Sequence, residues 1–398
     1  MCKGFTHNGK GDPLPREICN HAGLGKPFRC RKILSQVRQN IIGQQASRSK
    51  SGPLDARGAF GGFSTALRLV FRARNIREIP RLLREGPKPV INLIVQAHNT
   101  MAINRLLREN WQLNFVSSFP RSGNTWVRHL LADVFLQCHG METATELPIH
   151  PDKIIPDFYC HWIARRDVTI PMPGVFVKSH ETFQQLQSKF GALPAFRACK
   201  HIYLYRSPED ALVSLFHYHD KQKHLKSKAA GGIDAFCRKW LPSWEENLAS
   251  YLGAAEEGYQ VLFVPYELLL QYPVELLSSL LRWLGARNDG VIVERAISNM
   301  QFSKLQAAET RNCVSEEAFF FRKGCKGAGR TELQAATMEV IQERTAKLTE
   351  RANARVLAQQ SMQGSPVASR KTVQISRNPK AQGRLSGTLP AVAKMQKV

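Results

Sequence analysis

No run of this 398-residue chain reaches the roughly 18 apolar residues that a membrane-crossing helix needs. The first fifty residues are polar and basic, with no apolar centre of the kind a secretory leader carries, so none is expected. The nine cysteines include no C-x-x-C pair, which excludes the usual dithiol and zinc-ribbon spacings and predicts reduced thiols in a cytoplasmic protein. A zinc site built from Cys19, His21 and Cys30 is the minor alternative. Also missing is G-x-x-x-x-G-K-[ST], the loop of nucleotide triphosphatases, and no apolar strand ends in a magnesium-binding carboxylate. Acidic residues are scarce, 32 against 56 lysines and arginines, for a net charge of +24.

The location of that charge decides what it implies. Residues 1–110 carry 20 basic and six acidic side chains, and 361–398 carry seven basic and none acidic. The intervening 111–360 hold 29 and 26, close to balance. The excess belongs to the ends, so solvated tails are expected and no specific nucleic-acid partner is. The division read from composition is a disordered basic segment over 1–63, a basic amphipathic helical lead-in over 64–110, a main domain over 111–345, and the end of a helix plus a disordered basic tail over 346–398. The stretch 64–84 mixes arginines with Leu67, Val70, Phe71 and Ile76, a pattern suited to packing on the domain or to peripheral contact with an anionic membrane.

Within the main domain, short apolar runs alternate with helical patterns. The runs begin near Phe115, Gly174, His201 and Val261, and each is followed by a helix. This predicts an α/β fold of three layers, a mostly parallel sheet with helices on both faces. After Phe115 and Val116 comes the turn Pro120–Asn124, and from Thr125 the residues Trp126, Val127, Leu130 and Leu131 fall at helical spacing. A strand feeding a tight polar turn that opens a helix gathers backbone N–H groups and the positive helix end around one point, an anion cradle. Arg121, Ser122, Asn124 and Thr125 add a guanidinium, hydroxyls and an amide. The plainer alternative is a turn capped by Asn124 or Thr125.

Ligands of open parallel sheets sit outside the carboxyl ends of the strands. Here those ends read Arg121-Ser122, Lys178-Ser179-His180, Arg206-Ser207 and Tyr266-Glu267, a group rich in cations with one imidazole. Lys178 and His180 are two apart and share a side if the strand continues through them.

These residues resemble the P-loop sulfotransferases that use 3′-phosphoadenosine-5′-phosphosulfate (PAPS), over about Leu113–Leu333. F-P-R-S-G-N-T-W looks like the family's 5′-phosphosulfate loop. Y-L-Y-R-S-P-E-D-A-L-V-S is similar to its 3′-phosphate segment, with the eight-residue step from Arg206 to Ser214. F-R-K-G-C-K-G resembles its late R-K-G loop, and V-K-S-H the segment bearing the base. The resemblance implies sulfuryl transfer from PAPS, leaving 3′-phosphoadenosine-5′-phosphate (PAP), to a small-molecule or carbohydrate acceptor without a metal. It casts His180 as base, with Lys178, Arg121 and Ser214 also in the catalytic group. Arg121, Ser122, Gly123, Asn124, Thr125 and Trp126 would hold the 5′ side and adenine, Tyr266 the adenine, and Arg206, Ser214, Arg322, Lys323 and Gly324 the 3′-phosphate.

Three departures stand out. Arg121 occupies a position where relatives often carry Lys; it keeps the charge but donates no proton at neutral pH. Gly327-Ala328-Gly329-Arg330 replaces a G-D-W-like stretch, and Met300-Gln301-Phe302 replaces a Thr-Ser-aromatic adenine contact. A P-loop kinase or nucleotide hydrolase, and a non-catalytic binding protein on a decayed sulfotransferase fold, are the competing readings.

Overall fold

The structure, a computed structural model, describes residues 87–140, 151–161, 163, 172–222, 225–312 and 327–362. The readings of 1–63 and 64–84, of Cys19, His21 and Cys30, of Arg322, Lys323 and Gly324, and of the tail from 363 lie outside them.

The four expected strands form one sheet: β1 Leu113–Ser118, β2 Val175–Ser179, β3 Lys200–Tyr205 and β4 Gln260–Pro265. Their order is β2-β1-β3-β4, all parallel, with Val116 level with Lys178 and Ile202. β1 is buried along its whole length, as a central strand covered on both faces must be. The helices are α1 Pro87–Arg108, α2 Asn124–Cys138, α3 Phe183–Phe190, α4 Pro208–Lys221, α5 Gly232–Glu256, α6 Tyr266–Gln271, α7 Pro273–Leu284, α8 Gly290–Asn299, α9 Phe302–Asn312, α10 Ala328–Glu332 and α11 Ala335–Met362.

Strand alternation sorts these helices into two layers. From one face of β3, the Tyr203 hydroxyl donates to Asn247 of α5 at 2.8 Å, and Tyr205 bonds Asn353 of α11 at 3.0 Å. On the other side, Lys200 reaches the carbonyls of Trp283 and Leu284 at the end of α7, while Phe135 of α2 packs on Phe176 of β2. The result is the three-layer α/β arrangement, with the C-terminal strand edge left for a site.

α1 also fixes a segment beside that edge. The buried Asn99 amide donates to the carbonyls of Phe158 and His161, both at 2.8 Å, and its oxygen accepts the Ile163 N–H at 2.9 Å. The segment then joins β2 through a parallel bridge between Asp157 and Lys178. Phe158 N–H donates to the Lys178 carbonyl at 3.0 Å, and Lys178 N–H to that of Pro156 at 2.9 Å. Among the described residues no helix is long and apolar enough to cross a membrane.

Near the C-terminal end of the domain the short α10 precedes the long α11. Leu333 is extended, and the Gln334 N–H turns to the Asp234 carboxylate at 3.0 Å, which ends α10 before α11 begins. α11 continues to Met362, with Gln359 bonded to Val261 and Phe263 of β4.

His201, at the start of β3, is fully buried among Phe115, Phe183 and Phe196, and neither ring nitrogen meets a hydrogen-bond partner. Burial pulls its pKa down to about 3. The unfolded chain therefore takes up a proton below pH 6.5 that the folded chain refuses, and stability falls with pH through that window, by up to about 1.4 kcal/mol per pH unit. His201→Phe is expected to remove this component. Urea unfolding of wild type and variant between pH 7 and 5 checks it: the variant's midpoint should fall less.

Candidate active site

The turn after β1 is built from the inside. Asn124 does not cap the helix; its amide points back and donates to the Val116 carbonyl at 3.0 Å and to Ser118 Oγ at 3.2 Å. Gly123 occupies the cap position in the left-handed region, φ 94°, and no side chain caps α2. The plainer alternative of an Asn124- or Thr125-capped turn is thereby corrected. Uncapped first-turn N–H groups and the positive helix end face the cradle. Arg121 also sits at positive φ, 68°, an uncommon conformation for a side-chain-bearing residue. Ser122 is fully buried, its hydroxyl without a hydrogen-bond partner.

Beside this loop lies a cavity of about 450 Å³. It brings together Arg121, Gly123, Asn124, Thr125, Trp126, Lys178, His180, Arg206, Ser214 and Tyr266 of the sequence-predicted set. Ser122, buried in the same loop, is not among the lining residues, and Arg322, Lys323 and Gly324 are outside the described residues. The Arg121 Nε–H donates to Ser214 Oγ at 3.2 Å, and its guanidinium stands over the Tyr218 ring. Arg206 lies over the Tyr266 ring, donates to the Arg121 carbonyl at 3.4 Å and faces Asp210 at 3.9 Å. Trp126 Nε1–H donates to the Met300 carbonyl at 2.9 Å while its ring meets Tyr266 edge-on.

His180 follows β2. Its Nδ1 is 2.8 Å from the Ser118 carbonyl, and because a carbonyl only accepts, Nδ1 carries the hydrogen and Nε2 the lone pair. Burial, then the Lys178 ammonium, bring its pKa down to about 3, against the opposing pull of Asp157 and the Ser118 bond. Lys178 is ion-paired with Asp157.

Sequence reasoning overlooked Asp157, Cys160, Leu215 and Trp240, all of which line the cavity. Nothing in their spacing marks them. Tyr159, Tyr218 and His219 also line the cavity, whereas His161 meets Asp152 at 3.3 Å and His217 meets Glu332 at 2.5 Å. The two stretches that depart from family pattern are also built in. Phe302 and Ala328 line the cavity, and the Gly327 and Gly329 N–H groups donate to the Asp210 carboxylate at 2.7 and 2.8 Å.

An uncapped cradle at the C-terminal edge of a parallel sheet, facing arginines and an imidazole, is the place where α/β folds of this kind hold an anionic ligand. The chain belongs to the sulfotransferase family: the sulfotransferase domain matches residues 114–366. By family it is a transferase of the PAPS-dependent class. It is 29% identical over 255 residues to cytosolic sulfotransferase 13 of Arabidopsis thaliana, covering 58% of this chain and 74% of that one. It is 24% identical over 239 residues to a flavonol 3-sulfotransferase of Flaveria bidentis, covering 54% and 74%. A mouse sulfotransferase structure complexed with PAP superposes with a TM-score of 0.44 at 20% identity, over 61% of this chain and 89% of that one.

A Cβ on Gly123 would stand 2.5 Å from a Tyr266 ring carbon, in a backbone conformation L-residues avoid. Gly123→Ala is expected to cost about 1–3 kcal/mol of stability and to weaken binding of PAP at least tenfold. Thermal unfolding and calorimetric titration check the two effects.

Proposed function

We propose that this chain moves the sulfuryl group of PAPS to a hydroxyl or amine of a small-molecule acceptor, with His180 as the base. The observation that carries the reading is the meeting, on one cavity, of the uncapped cradle and an imidazole whose Nδ1–H is committed to the Ser118 carbonyl. The donor's anionic groups suit the residues present. Ser122 offers a buried, unpartnered hydroxyl in the loop, and Gly123 leaves room that a Cβ would fill. Arg121, the Ser122–Thr125 backbone and the Ser122 hydroxyl are read as the 5′-phosphosulfate site, Arg206 and Ser214 as the 3′-phosphate site, and Trp126 and Tyr266 as the adenine contacts. Arg322, Lys323 and Gly324 keep their family reading as part of the 3′-phosphate site.

When bound, PAPS supplies an activated sulfuryl group on a phosphate leaving group. His180 Nε2 takes the acceptor's proton as the acceptor atom bonds to sulfur. The bond from sulfur to the bridging oxygen breaks, and its electron pair stays on the 5′-phosphate of PAP. Arg121 stabilises the charge that develops there, and as a permanent cation it does so without giving up a proton. Lys178 holds positive charge beside His180. An anion in the cradle raises the proton affinity of His180 above that of the empty site, so the base strengthens when the donor is in place. The named cytosolic relatives support a cytoplasmic location. The flavonol specificity of another makes a flavonol the first acceptor to try.

PAP is expected to bind at least tenfold tighter than ADP without magnesium, and Arg206→Ala to erase that preference; calorimetry reads both. Equal binding, or tighter ADP binding with magnesium, would overturn the reading in favour of a kinase. His180→Ala should keep PAP affinity within about threefold and lower turnover of any accepted flavonol by about 10²–10⁴.

A further inference from the structure

We propose that Asp157 is a positioning residue of the transfer reaction. It anchors the Lys178 ammonium in the cavity, and its carboxylate is the counter-charge for the imidazolium that His180 becomes. This rests on the function proposed above.

The geometry is specific. Asp157 lies on the segment that Asn99 clasps and that bridges to Lys178 by two backbone hydrogen bonds. That bridge sets the two side chains level on one edge, and the Asp157 carboxylate meets Lys178 Nζ through Oδ2. Its Oδ1 accepts the Tyr159 N–H at 2.9 Å. Asp157 is 8% exposed, and that small exposure faces the cavity shared with Lys178 and His180. Burial alone would raise its carboxyl, but the Lys178 charge and hydrogen bond reverse this and hold it below the ordinary carboxylate range.

Among the described residues, charges that bear on His180 come from Lys178 on β2, Arg128 on α2, and Asp157 on the bridging segment, which shares the cavity with it. From α5 the uncharged Asn247 amide donates to the His180 carbonyl at 3.3 Å. Both cations oppose protonation of the imidazole; Asp157 is the charge that favours it, alongside the Ser118 carbonyl bond to Nδ1. A base that must hold a proton as the acceptor attacks needs such a counter-charge. Without Asp157, Lys178 would also lose the partner that keeps its flexible stem in one place.

The test needs no known acceptor. In the PAP-bound full chain, with ¹⁵N-labelled histidine and the His180 signal assigned by its loss in His180→Ala, the imidazole midpoint is followed by NMR. Lys178→Met should raise the His180 midpoint. Adding Asp157→Asn to Lys178→Met should lower it again by one pH unit or more. Separately, calorimetry on Asp157→Asn should show PAP affinity unchanged or tighter, since a carboxylate has left a cationic site, whereas a purely structural role predicts weaker PAP binding together with a lower Tm. With a flavonol that turns over, Asp157→Asn should lower kcat at least tenfold while the KM for PAPS stays within threefold. A His180 midpoint that moves by less than 0.3 pH units between Lys178→Met and the double variant, with PAP still bound, overturns the role of Asp157 alone. Failure of the wild type to bind PAP would overturn the sulfotransferase reading and this inference with it.

Discussion

Several cations have to share one cavity of low polarity, and the rest of the site is arranged around that constraint. Like charges at close range in a poorly screened environment repel strongly. Three of the positive side chains at this edge are each set against a carboxylate from a neighbouring element. Lys178 pairs with Asp157, Arg206 faces Asp210, and Arg128 meets Asp152 at 2.5 Å. All three carboxylates are buried. Arg121 is held differently, by the Ser214 hydroxyl and the face of Tyr218. Charge aimed at an anionic substrate is thereby assembled before any substrate arrives, so little reorganisation remains for the moment of reaction.

The same carboxylates tie together parts of the chain that are distant in sequence. Asp210 receives the N–H groups of Gly327 and Gly329, which brings the start of α10 against α4. Gly329 has no room for a side chain there, because a Cβ would lie 2.5 Å from that of Glu209. Asp152 joins the segment before β2 to α2, and Asp157 joins it to β2 itself. Electrostatic preparation of the site and closure of the tertiary structure are served by one set of contacts. Removing a single acid from such a set leaves a buried cation uncompensated, which is why the effects of these residues are not separable by simple addition.

The core behind the edge is aromatic, with Phe115, Phe183, Phe196 and Tyr251 around His201. A neutral imidazole there contributes ring packing at the cost of two unpaired nitrogens. His180 at the other end of the sheet is also held neutral, but its nitrogens are distinct: one hydrogen is fixed by a strand carbonyl, and the lone pair is left for chemistry. Two histidines with similarly depressed proton affinity thus differ in use, and the hydrogen bond rather than the pKa tells them apart.

Much of this was legible in the linear chain. The four strands, their parallel sense and the loop after β1 follow from apolar runs of strand length alternating with helical spacing, which are local properties; the order β2-β1-β3-β4 came from the structure. The cluster Arg121, Lys178, His180, Arg206 and Tyr266 follows as well, because strand ends in a parallel sheet must share one edge. What only the tertiary structure decided depends on side-chain direction and on contacts between distant segments. Asn124 turned inward where a cap was equally compatible with the sequence, since Val116 and Ser118 offered it buried partners. Where α11 begins was set from afar, because Asp234, a hundred residues away, takes the Gln334 N–H between α10 and α11. Asp157 had no signal at all: its neighbours Pro156 and Phe158 suggest an ordinary packed segment. It enters the site only because Asn99 pins that segment beside β2, a pairing that no local spacing encodes.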